Sequence, residues 1–165
     1  MATEIERKFL VVGKAWRDLA EGVVYRQAYL NQQGPTVRVR IAGESGYLTI
    51  KGPTINNSRL EYEYAIPVVD VNEMLDSLAV TPVVEKLRYT ISYQGFIWEV
   101  DEFLGDNEGL VVAEIELDTP DQSFPLPPWV GTEVSGDSRF YNASLARNPF
   151  CRWRADLEAA GEEER

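Results

Sequence analysis

Seven stretches of this chain alternate charged and apolar residues with a period of two, and most carry paired charges of one sign. In Glu4–Ile5–Glu6–Arg7–Lys8 two glutamates precede a lysine. Later stretches bring Arg38 and Arg40, Lys51, Arg59 with Glu61 and Glu63, Lys86 and Arg88, Glu99 and Asp101, and Glu114 and Glu116. Successive side chains of a β-strand point to opposite faces, so each set shares one face. Ile5, Val39, Ile50, Tyr62, Leu87, Val100 and Ile115 fall on the other. Two carboxylates on one face repel unless a cation or a basic neighbour lies between them, and that requirement restricts the fold more than any other feature.

Taken in order, the first strand runs to Val12, and Gly13 to Ala20 reads as a short helix or helical turn ended near Gly22. Strands follow over Val23–Leu30, Thr36–Ile41, Tyr47–Lys51 and Arg59–Ile66, separated by Asn/Gly/Pro turns. Val71, Met74, Leu75 and Leu78 have the spacing of an amphipathic helix that covers a core. Strands resume over Val84–Ile91, Phe96–Asp101 and Leu110–Leu117, with Tyr93–Gln94–Gly95 as a hairpin turn. The proline-rich Phe124–Trp129 stretch reads as a packed loop. Asp137 or Ser138 caps a helix through Leu145 that ends at Asn148–Pro149; Arg152–Ala160 forms a last helix, and Gly161–Arg165 a frayed tail.

An antiparallel sheet with one buried and one wet face would give the same alternation. Two features count against a wet charged face. The pairs are mostly of one sign rather than mixed, and helices are available to cover the apolar side. If the apolar side is covered, the charges line the inside of a curved or closed sheet. About eight antiparallel strands close into a barrel wide enough for one small ligand. The expected class is therefore mainly β (α+β): a closed eight-stranded antiparallel barrel covered by helices. Opposed acidic and basic walls are satisfied together by a polyanion that carries its own cations.

Composition narrows the chemistry. The chain of 165 residues has no histidine and a single cysteine, Cys151. Ser-His-Asp and Cys-His catalysis, histidine-ligated zinc and an internal disulfide are all excluded. Carboxylate oxygens prefer hard cations, so an implied metal is magnesium, manganese or calcium. A net charge of −11 argues against non-specific binding to nucleic acid or anionic membrane. No apolar run is long enough to span a bilayer and the N-terminus has no secretion-signal pattern, so a cytoplasmic location is expected. A single domain is expected, as a monomer or homodimer.

Glu4-x-Glu6-x-Lys8 resembles the ExExK signature of the CYTH superfamily, the triphosphate tunnel metalloenzymes. The resemblance continues in order through Arg38-x-Arg40, Lys51, Arg59-x-Glu61-x-Glu63, Glu85–Lys86-x-Arg88, Glu99-x-Asp101, Glu114-x-Glu116 and the Asp137–Leu145 segment. It implies an eight-stranded tunnel over residues 1–149 with a C-terminal plug helix, and residues 150–165 as an appended helix and acidic tail. Members hydrolyse inorganic triphosphate, thiamine triphosphate or RNA 5′-triphosphate ends, or cyclise ATP; this chain looks most similar to the inorganic tripolyphosphatases. The implied cofactor is Mg²⁺ or Mn²⁺, as one or two ions.

Carried over position by position, the family pattern makes Lys8, Arg38, Arg40, Lys51, Lys86, Arg88 and Arg139 phosphate ligands. Glu4, Glu6, Glu61, Glu63, Asp101, Glu114 and Glu116 become metal ligands or orienters of a metal-bound water. Glu6, Glu114 and Glu116 then carry catalysis, with Tyr29 pointing inside beside Gln27 or serving in packing. Arg59 supports the glutamates by an ion pair, and Asn142 matches the plug's asparagine. The chain departs from the pattern at Ser138–Arg139–Phe140, where the family reads basic–Arg–Tyr, so one cation and one hydroxyl are missing. Adenylyl cyclase, thiamine or nucleoside triphosphatase, and a non-catalytic polyphosphate-binding module are the alternatives.

Overall fold

The computed structural model describes residues 3–163, and of 160–163 the backbone alone. Nine strands form one sheet: β1 (Thr3–Val11), β2 (Val23–Tyr29), β3 (Thr36–Ala42), β4 (Ser45–Lys51), β5 (Ser58–Ile66), β6 (Val84–Tyr93), β7 (Phe96–Phe103), β8 (Val111–Glu116) and β9 (Val130–Glu133). Every pairing is antiparallel, in the order β5-β4-β3-β2-β6-β7-β8-β1-β9. Pairing of β1 with β5, Glu4 opposite Arg59, closes the first eight strands into a barrel. Gln94 and Gly95, with φ of 47° and 85°, make the tight β6–β7 turn, whose two left-handed positions match the twist of a hairpin.

One edge of β1 changes partner: it pairs with β5 up to Ile5 and with β9 from Phe9. Between them its backbone donors go elsewhere, Glu6 N–H to Asn57 O at 3.2 Å and Lys8 N–H to Ser135 Oγ at 2.9 Å. The ladder is thus satisfied across the gap without a strand. β9 was not expected from the sequence; its four residues are too short, and too interrupted by Gly131, to show a period.

The outer face is covered less by helices than expected. Helix α1 (Val68–Ser77) packs Val71 against β4. The approach needs glycine at position 46, because a Cβ there would lie 2.8 Å from Val71 Cγ2 and 2.7 Å from the Ile66 carbonyl. Over β1, β7 and β8 the cover is instead the 118–129 loop and a short 3₁₀ turn at Ala15–Asp18. Phe124 and Trp129 pack edge-on to Trp98 at 5.7 and 5.8 Å, and Trp16 is buried beside Tyr89. On β5, Leu60, Tyr62 and Tyr64 stay exposed.

One end of the bore is stoppered. The inward-facing positions of β2, β6, β7 and β8 become apolar there, as Tyr29, Val84, Phe103 and Val112. Phe140, Leu145, Ala146, Phe150 and Trp153 fill the space between them. The single helix expected over Asp137–Leu145 is instead a 3₁₀ turn, Ser138–Phe140, an extended Tyr141, and α2 (Asn142–Arg147). The break lets Phe140 face the stopper and Tyr141 the bore. Helix α3 (Arg154–Glu163) follows, so the expected frayed tail is helical as far as Glu163; residues 164 and 165 lie outside the described residues. No helix among the described residues is long and apolar enough to cross a membrane.

Phe140 is 1% exposed and meets Trp153 edge-on at 5.2 Å. Phe140→Ala should therefore cost about 3–5 kcal/mol, read as a fall in the urea midpoint at unchanged slope; an unmoved midpoint would show that the stopper does not hold the fold.

Candidate active site

The bore encloses a cavity of about 300 Å³ lined by seven carboxylates and seven cations. The carboxylates are Glu4, Glu6, Glu61, Glu63, Glu99, Glu114 and Glu116; the cations are Lys8, Arg38, Arg40, Lys51, Arg59, Lys86 and Arg88. The count decides one matter: with the two signs equal, the cavity is not a simple trap for a bare anion. The apolar outer face is what turns these side chains inward, since a slip of one residue would expose them all.

Register sets the pairs. Glu4 lies opposite Arg59, Lys8 opposite Glu114 and Arg88 opposite Asp101. Arg59 Nε donates to Glu4 Oε2 at 2.9 Å, and Lys51 Nζ reaches both oxygens of Glu4 at 3.1 Å. Lys8 pairs with Glu114 and, at 3.2 Å, with Glu6. Arg40 donates to Glu63 at 3.0 Å and Arg88 to Glu99 at 2.7 Å. Arg38 differs. It is 7% exposed, donates from Nη2 to Thr49 Oγ1 at 3.4 Å, and has no carboxylate partner among the described residues. Its Nε and that of Arg40 are buried without an acceptor. Buried donors left this way cost free energy that only a ligand or water can recover.

Two like-charged pairs also face each other, Glu6 opposite Glu116 and Glu99 opposite Glu114. Burial, then the neighbouring Glu114, push the Glu6 carboxyl up to about 7 against the pull of Lys8. Burial works the same way on Glu4, but Lys51 and Arg59 outweigh it and bring Glu4 down to about 2. For Glu114 burial is again overcome, chiefly by Lys8, and its carboxyl lies well below the usual range. Burial lowers Lys86 to about 7, with Asp101 opposing, and raises the Tyr29 hydroxyl.

Of the residues expected here, Glu4, Glu6, Lys8, Tyr29, Arg38, Arg40, Lys51, Glu61, Glu63, Lys86, Arg88, Glu114 and Glu116 all line the cavity. Two do not. Arg139, expected on phosphate, lies outside: its guanidinium is spent on Asp137, Nε to Oδ1 at 3.0 Å, and sits 5.0 Å from the Trp153 ring centre. Asp101, expected on metal, is 1% exposed behind the wall, under Lys86 and Arg88. Further lining residues were missed, among them Tyr25, Glu99 and Tyr141. Tyr25 shares its strand face with Gln27 and Tyr29, a period that was legible; its ring lies 5.0 Å from the Arg40 guanidinium and 4.7 Å from that of Arg88. Glu99 was read as part of the series but given no role. Tyr141 brings a hydroxyl to the cavity one residue after the position where one was thought missing, and it donates to Ser135 O at 3.3 Å. Asn142 Oδ1 accepts from Lys86 Nζ at 3.0 Å and from the buried Gln27 at 3.1 Å, tying α2 to the bore.

The carboxylate oxygens lining the cavity are the donor type that a hard divalent cation takes, although among the described residues no three carboxylates are gathered into a ready metal site. Glu6 and Glu116 stand directly opposed, and a cation beside Glu6 would favour its charged form against the burial and the Glu114 charge that raise it.

Residues 2–144 match the CYTH domain family. An inorganic triphosphatase of Acetivibrio thermocellus is 54% identical over 151 residues, which is 91% of this chain and 97% of that protein. An inorganic triphosphatase of Nitrosomonas europaea is 38% identical over 149 residues, 87% of this chain and 97% of that one. A crystal structure of an inorganic triphosphatase superposes with a TM-score of 0.60 at 35% identity, over 86% of this chain and 96% of its own. A putative adenylate cyclase from Bacillus halodurans superposes at 0.58, over 73% and 84% of the two chains, but at 19% identity that likeness carries the fold alone.

The Glu6 carboxyl keeps its proton to about 7 in the folded cavity and to 4.5 in the unfolded chain. Between those values the folded form binds the extra proton, so stability falls as pH rises through the window and the loss is complete above it. Ligand-free Glu6→Gln should match the parent near pH 5 and melt about 3 °C or more above it near pH 8. A difference that does not change with pH would refute the assignment.

Proposed function

The chain belongs to the CYTH domain family, and from that premise we propose that it hydrolyses inorganic triphosphate to pyrophosphate and phosphate inside the charged bore. The observation that carries the reading is Arg38, a buried guanidinium with no carboxylate partner among the described residues, standing with six further cations in the lining of one cavity. A chain of phosphates offers oxygens to every one of those cations, and the equal number of carboxylates asks for metal ions to arrive with it.

In this reading Lys8, Arg38, Arg40, Lys51, Lys86 and Arg88 hold phosphate oxygens and neutralise the charge that develops on the leaving pyrophosphate. Mg²⁺ or Mn²⁺, as one or two ions held by Glu4, Glu6, Glu61, Glu63, Glu114 and Glu116, would supply charge neutralisation and a more acidic water when bound. Glu6, which lines the cavity opposite Glu116, is the carboxylate placed to take a proton from the attacking water. Glu116 stands opposite and orients the same water. Glu114 stays ionised and anchors Lys8. Tyr29, buried at the floor within 3.4 Å of Gln27 Nε2, closes the cavity around the last phosphate.

Nothing in the bore favours a nucleotide. The aromatic ring best placed to stack a base, Tyr25, is already flanked by Arg40 and Arg88. The small-molecule reading, without nucleic acid or membrane, agrees with the net charge of −11.

Incubation with tripolyphosphate, thiamine triphosphate and ATP, each with Mg²⁺ or Mn²⁺, tests the proposal by separation of products. Tripolyphosphate should give phosphate and pyrophosphate with the highest kcat/KM. Cyclic AMP as the main product would instead identify a cyclase, and tight binding without turnover a polyphosphate-binding module. Arg38→Ala should raise KM about 10-fold or more, the worth of a charged hydrogen bond. Glu116→Gln should lower kcat on the order of 10²–10⁴-fold at little cost in binding; near-normal turnover would remove Glu116 from the reaction.

A further inference from the structure

Asp101 is buried as deeply as any charged group among the described residues, yet it does not line the cavity. Its oxygens are fully engaged. Oδ1 accepts from Arg88 Nε at 2.8 Å; Oδ2 accepts from Arg88 Nη2 at 2.9 Å and from Lys86 Nζ at 2.8 Å. The Arg88 contact is a two-point fork, which fixes the plane of the guanidinium as well as its position. Lys86 completes a second bond to Asn142 of α2, leaving one ammonium hydrogen to face the cavity. The outer nitrogens of Arg88 are left in the same position: Nη1 reaches Glu99 at 2.7 Å, and each Nη keeps one further hydrogen.

A metal ion at Asp101 would have to displace two cations held within hydrogen-bond distance, and would then sit beside both. The carboxylate's place is that of a shared counterion. We propose that Asp101 is a positioning residue for the phosphate site: it sets the spacing and orientation of Arg88 and Lys86 so that their free hydrogens point together at one phosphoryl group. The short aspartate stem suits the role, since β6 and β7 put Arg88 directly opposite Asp101 and Lys86 one alternation away on the same face. Without Asp101 the two head groups repel each other, and Lys86 already gives up its proton more readily than an ordinary lysine because it is buried.

This inference rests on the phosphate-binding reading of the bore, and the experiment separates the two. For the parent, KM and kcat for tripolyphosphate and the half-saturating Mn²⁺ concentration are measured first; absence of turnover and binding there would defeat the reading itself. In Asp101→Asn, KM should rise about 10-fold or more while half-saturating Mn²⁺ stays within about 2-fold, because a positioning residue for cations acts on phosphate and not on metal. In an Arg88→Gln background, Asp101→Asn should raise KM by clearly less than it does in the parent, since Lys86 alone is left for it to position. A rise in half-saturating Mn²⁺ at constant KM would make Asp101 a metal ligand and overturn the proposal, as would a fully additive effect in the double variant. If Asp101→Asn does not fold, Asp101→Glu keeps the charge but moves it outward. It should show the same rise in KM at unchanged Mn²⁺ dependence, and an unchanged KM would count against the positioning role.

Discussion

The cavity exists because opposite charges face each other across walls that keep water out. A buried ion without a partner costs several kcal/mol, so fourteen charged side chains turned into one small volume would drive the barrel open unless they were matched. Strand register does the matching. Glu4 with Arg59, Lys8 with Glu114 and Arg88 with Asp101 are directly opposed residues of neighbouring strands, so the ladder that closes the barrel also neutralises its interior. The aromatic cover over β1, β7 and β8 holds that register from outside, since a slip would carry Trp98 and Ile115 inward and the carboxylates into the apolar cluster.

Satisfaction is uneven, and the unevenness separates frame from site. Asp101 has every oxygen occupied and sits behind the wall; it belongs to the frame. Arg38 has no carboxylate partner among the described residues, and Glu6 faces Glu116 directly on the ladder. These are the positions at which an anion and a cation from outside would both lower the free energy. Ion pairs such as Lys8–Glu114 and Arg40–Glu63 lie between the extremes. They stabilise the bore, and in the proposed reaction they would change partners, the lysine or arginine to phosphate and the glutamate to metal. Phosphate and metal then each make the other's binding more favourable, a coupling that is reciprocal by thermodynamic necessity.

Period two was enough to find the strands and the inward charges, because both consequences follow from alternation alone. The sequence could not distinguish a charge that lines the cavity from one that underlies it: Glu99 and Asp101 share a face on β7, yet only Glu99 reaches the lumen. That difference comes from depth and from which neighbour claims the side chain first. Arg139 was misplaced for a similar reason. It lies two residues from Asp137, and a local carboxylate wins over a distant phosphate when the backbone already presents it. Tyr141 was overlooked because a continuous helix was assumed, and only the extended break after Phe140 turns its hydroxyl into the bore. β9 and the loop cover left no periodic trace. Their fit is to Phe9 and Trp98, which lie far away in sequence.

The inner face also changes character along its length, and that gradient bears on the chemistry. On β8 it runs from Glu116, exposed, through the deeper Glu114 to the buried Val112; on β6 from Arg88 through Lys86 to Val84; on β7 from Glu99 through Asp101 to Phe103. The dry floor, packed from below by Leu145 and Phe140, lowers the local dielectric under Lys86 and strengthens every charge interaction above it. It also leaves one charged way in. Glu63, Glu99 and Glu116, exposed or half-buried carboxylates of the lining, stand toward that rim, where they would repel a bare polyanion and attract one that carries divalent cations. The same fold feature that buries the plug thus orders the bore from an acidic rim to a basic, water-poor depth. On the proposed reading, a phosphate chain carrying divalent cations would meet drier walls the further it goes in.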